Sequence, residues 1–91
     1  MIDALIVKIA AFVISGDITC GEDELTKILE LAKEILSNMT ISEVMRDNLT
    51  IEQLEIFKER VSILVGDECI TEIAGEELIQ DAQTIIDSIE L

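Results

Sequence analysis

Proline and histidine are both missing from the 91 residues, as are Trp and Tyr, and every Lys or Arg lies at or before Arg60. Each absence excludes something. Without proline, no rigid turn or fixed kink punctuates the chain, so its elements must end on glycines and capping side chains. Without histidine, the side chain that most often moves protons near neutral pH is gone, and no Ser, Thr or Cys can be paired with an imidazole base. The reading is therefore a non-enzymatic protein with no cofactor. The only aromatics are Phe12 and Phe57, so with 49% hydrophobic residues the core must be built from Ile, Leu and Val.

What is present is acid. Twenty Asp and Glu against six Lys and Arg give a net charge of −14. Self-repulsion on that scale costs folding energy, which points to a role for the charge in solubility or in attraction to a basic partner. Direct nucleic-acid binding is the least favoured activity, since six scattered bases do not offset twenty acids. The apolar run Met1 to Ser15 has Asp3 where a signal peptide has its basic region, has Lys8 in its interior, and is shorter than the ~20 residues that span a bilayer. A cytoplasmic location without membrane contact is expected.

Cys20 and Cys69 form no CxxC pair, and the chain has no His to complete a metal site, so neither a zinc ribbon nor a disulfide scaffold is indicated. Buried free thiols are expected, because free Cys packs as a small hydrophobe.

Helix-start patterns recur at Thr19 with Glu22, Thr40 with Glu43, and Thr50 with Gln53, each spaced as a capping box. Apolar residues at 3.6-residue spacing then predict helices from Ile2 to Ser15 (ended by Gly16), from Cys20 to about Asn38, a short one from Ile41 to about Asp47, and one from Ile51 to Val65. Beyond Gly66 the apolar phase changes, and a break near Gly75 predicts a short helix before it and a longer one after it. The expected fold is a single all-α domain over residues 1 to 91, a bundle of five or six helices. The first helix is apolar nearly all round, which reads as the central element of the bundle, with a homodimer contact as the alternative.

Gly16-Asp17 and Gly21-Glu22 are echoed by Gly66-Asp67 and Gly75-Glu76, each set lying between apolar helices. The echo suggests two helix-loop-helix halves, although glycines and acids suit any interhelical loop. Ser15-Gly16-Asp17-Ile18-Thr19, followed by Glu22 and Leu25, resembles the first acidic loop of the tellurite-resistance TerB-like family. The resemblance implies a helical bundle whose acidic loops hold divalent metal ions, with Asp17, Glu22 and Asp67 as the candidates. Where the family has Asp before the glycine, this chain has Ser15, and Val65 in the second loop. No EF-hand spacing of Asp and Asn is present.

Glu68, Glu72 and Glu76 recur every fourth residue, with no base after Arg60 to relieve them; Glu77, Asp81 and Asp87 extend the acidic C-terminal third. On one helix the first three would stand in a row about 6 Å apart. These six residues are the candidate partner-binding set. The bland reading is a solvated surface. The sharper one is a small acidic protein that engages a basic partner surface, imitating nucleic-acid phosphates and inhibiting a restriction or CRISPR-type enzyme.

Overall fold

In the computed structural model, which describes residues 1 to 90, the chain forms four helices: α1 (Ile2–Ser15), α2 (Glu22–Leu36), α3 (Glu43–Gly66) and α4 (Glu72–Glu90). They stand in a ring, α1 against α2 and α4, and α3 against α2 and α4, so α1 and α3 are diagonal to each other. The bundle measures 39 × 18 × 18 Å, close to the length of α3 alone. The core is aliphatic around one aromatic: Phe57 is fully buried among Leu5, Ile9, Leu25, Leu29, Leu54, Val61, Leu78 and Ile86.

The expected five or six helices are thus four, because two predicted breaks are bridged. At the first, Thr50 caps nothing. It is buried inside α3 and its hydroxyl donates to the Arg46 carbonyl one turn earlier (2.8 Å). A Thr three residues before a Gln also occurs by chance inside helices, where the hydroxyl satisfies itself against its own backbone. The real α3 cap is Ser42, whose hydroxyl accepts from the Met45 N–H (3.2 Å), while Thr40 bonds to Asn38. At the second, α4 runs straight through Gly75, which is buried beneath Val65 of α3. A side chain there would collide with Val65, so this glycine permits a close helix approach.

The capping expectation also fails at α2. Its N-cap is Gly21, at φ 85°, and Thr19 lies in the preceding loop. A Cβ on Gly21 would come within 2.6 Å of Leu64. By contrast α1 has the expected bounds and ends on left-handed Gly16 (φ 88°). It is not the central helix, however. In a ring of four no helix is central, and only Ile2, Leu5 and Ile9 of α1 are buried, against five positions of α3 and six of α4.

The α1–α2 and α3–α4 loops meet at one end of the bundle. Ile18 and Ile70, both buried, form an antiparallel bridge in which Thr19 N–H donates to the Cys69 carbonyl (2.8 Å) and Thr71 N–H to the Asp17 carbonyl (2.9 Å). Within each loop the pattern repeats. The Phe12 carbonyl accepts from the amides of Asp17 and Ile18, and the Leu64 carbonyl from those of Cys69 and Ile70. Gly16 bonds back to Val13 as Glu68 does to Val65. Glu68 is the one non-glycine residue with positive φ (65°) among the described residues. The chain is therefore two helix-loop-helix halves whose loops correspond at Gly16 with Glu68, Asp17 with Cys69, Ile18 with Ile70 and Thr19 with Thr71. The sequence echo of the two Gly-Asp pairs is out of register with this by two residues.

The same loop pairing overturns the expectation for the thiols. Cys20 and Cys69 form a disulfide between the halves, with Cα atoms 5.0 Å apart, and no free cysteine remains. Residues 49 apart in sequence are brought together because each borders the bridge. Among the described residues, no helix is long and apolar enough to cross a membrane.

Candidate functional site

The acids of α4 fall on two flanks. Glu77 and Asp81 face α1, where Lys8 reaches both, at 3.0 Å to Glu77. The two carboxylates hold the Lys8 ammonium above its ordinary pKa, Asp81 contributing most. Part of the predicted binding set is thus occupied within the molecule. Glu72, Glu76 and Asp87 lie on the other side, exposed, with no ion-pair partner among the described residues.

Glu68 does not join the row. It precedes α4 by four residues and sits in the loop at φ 65°, so the predicted stripe of three shortens to Glu72 and Glu76, one turn apart. Glu72 occupies the first turn of α4, where a carboxylate is favoured by the helix dipole.

Three exposed acids on α3 extend the surface: Glu52, Glu55 and Glu59. With Ile56, Lys58 and Ser62 they line a shallow groove of about 410 Å³ that includes Ile79 of α4. Lys58 is drawn down into the helix interface, bonded to Gln83 of α4 and 3.4 Å from Glu55. Gln83 in turn donates to Asp87 (2.9 Å). The other base of this stretch, Arg60, turns towards α2 and pairs with Glu24 (2.6 Å). The outward surface of the α3–α4 pair is left with acids from both helices. The signal was in the sequence as the spacing 52, 55, 59 on one helical face; Lys58 and Arg60, interleaved with these acids, obscure it.

The metal candidates are held differently. Asp17 accepts from the Ser15 hydroxyl (2.6 Å) and the Thr71 hydroxyl (3.0 Å), and these bonds, Ser15 first, keep its carboxyl below the usual carboxylate range. Its oxygens fasten one loop to the start of the other half. Glu22 opens α2 and Asp67 follows α3. Among the described residues no three acids or cysteines gather in a way that could hold a metal ion.

No family model matches the chain, and no curated protein or solved structure matches it either. The likeness of the first loop to the TerB-like family therefore rests on the quoted loop residues alone.

Proposed function

We propose that the chain is a non-enzymatic binding protein whose α3–α4 flank engages a basic groove that ordinarily takes nucleic acid. The observation that carries the reading is the segregation of charge: Glu52, Glu55, Glu59, Glu72, Glu76 and Asp87 share the outer surface of two adjacent helices, where the one base, Lys58, is engaged by Gln83 and Glu55, while Arg60 turns aside to Glu24. Carboxylates one helical turn apart are separated by about 6 Å, comparable to roughly 6.8 Å for every second phosphate along a DNA strand. Like charges so placed are mildly destabilising, by a few tenths of a kcal/mol per pair, so the arrangement is favoured by what it binds and not by the fold.

The disulfide bears on where this happens. Such bridges persist in oxidising compartments and in the interior of hyperthermophiles, which argues against the reducing cytoplasm expected from sequence. The test is competition. A partner captured on the protein should be released by duplex DNA or RNA and should bind more weakly as salt rises. Capture that is indifferent to both would overturn the reading.

A further inference from the structure

Helix α1, beside α4 but diagonal to α3 of the acidic flank, presents the opposite character. On α1 the inner face buries Ile2, Leu5 and Ile9, and the outer face repeats Ala4, Val7, Ala11 and Ile14 at spacings of three and four, the seam period of a coiled coil. All four are exposed, Val7 at 67% and Ile14 at 88%. Beside this seam a largely apolar groove of about 410 Å³ opens between α1 and α2, lined by Ile6, Ile9, Ala10, Val13 and Ile14 of α1 and bordered by Glu22 and Thr26 of α2.

Charge selects the occupant. Helix α1 carries one acid and one base, and both are already neutralised, Asp3 by Lys33 of α2 (2.6 Å) and Lys8 by Glu77 and Asp81. In a molecule of charge −14 this is where a second acidic copy approaches with least repulsion, whereas a basic partner is drawn to the other faces.

We propose that α1 is the contact of a two-fold homodimer, formed by packing the Ala4, Val7, Ala11 and Ile14 seam of one copy against that of another. Alanines at alternate seam positions let the backbones come close, with Val7 and Ile14 as the knobs. Because α1 and α3 are diagonal, the dimer holds its two α3 helices, with Glu52, Glu55 and Glu59, on opposite outer sides. A seam of two heptads buries less than the ~1,200 Å² of a standard stable interface, so the association is weak and concentration-dependent.

Sedimentation velocity on the intact oxidised protein from 5 to about 500 µM, at low and high salt, tests this. The wild type should shift from 10.1 kDa towards twice that mass, more readily at high salt, where screening relieves repulsion between copies. The double variant Val7→Glu, Ile14→Glu should remain monomeric with unchanged helical circular dichroism, its dissociation constant raised at least tenfold. Val44→Glu, on an equally exposed apolar residue of α3, should dimerise like the wild type. A wild type that stays monomeric throughout, or a double variant that associates as well as the wild type, overturns the proposal. Neither result touches the acidic-flank reading, which is assayed by partner capture.

Discussion

Gly16 and Glu68 hold the same place in the two loops, each with positive φ and each bonding back to the third residue before it, yet only one is a glycine. A left-handed backbone costs a residue with a Cβ about 1–2 kcal/mol. Nothing lies within 4 Å of where a Gly16 Cβ would be, so Gly16→Ala should lose that amount through the backbone alone. Glu68→Gly should gain about 0.5–1 kcal/mol, the relieved strain less the extra freedom of the unfolded glycine. Thermal melts read both, at about 4–8 °C per kcal/mol for a chain of this size. A Glu68→Gly variant that melts lower would show that the glutamate side chain contributes more than its backbone costs. At this scale the sequence was legible at Gly16, where a glycine ends an apolar run. It was not legible at Glu68, because the strain is imposed by pairing with the other loop.

Helix α1 was legible to the residue, since an apolar run ends on Gly16, and α2 to within two residues at each end, since it has one apolar face. Helices α3 and α4 were each read as two because local signals compete with long-range packing. Thr50 mimics a cap, and Gly75 mimics a break. Gly75→Ala separates the two meanings of that glycine. If propensity decided, alanine would stabilise α4 by about 1 kcal/mol. Because a Cβ would meet Val65, overpacking should prevail, with a net loss of about 1–2 kcal/mol by chemical denaturation. In a Val65→Ala background the same change should become neutral or stabilising. A stabilised single variant would instead mean that α3 and α4 pack loosely there. The acids of the candidate site show the same division: their abundance was plain in the sequence, but which of them Lys8 neutralises depends on how α1 is placed beside α4.

For the whole molecule, the disulfide and the Ile18–Ile70 bridge clasp the two halves at one end, whereas at the other end the covalent link is the chain between α2 and α3. The cross-link closes a loop of 49 residues, for which chain entropy assigns about 4 kcal/mol of stabilisation. Reduction, or Cys20→Ser with Cys69→Ser, should therefore lower the melting temperature substantially while leaving the helix content of the folded state unchanged. Equal melting temperatures with and without reductant would mean that the aliphatic core alone holds the halves together. No spacing rule could have foretold the pairing, because what brings Cys20 to Cys69 is the backbone bridge between two loops distant in sequence.

The direct test of the central claim compares two triple variants of equal net charge. Glu52→Gln, Glu59→Gln and Glu76→Gln remove acids from the α3–α4 flank; Asp23→Asn, Glu30→Gln and Glu34→Gln remove as many exposed acids from α2, diagonal to α4. Each is immobilised beside the wild type, and capture of a basic, nucleic-acid-competed partner from the source cell is quantified. The account predicts that the flank variant loses at least tenfold in affinity while the α2 variant keeps wild-type binding to within a factor of about three, a gap of at least ~0.7 kcal/mol. Equal loss in both would contradict it, because the acids would then act through net charge and not through the flank.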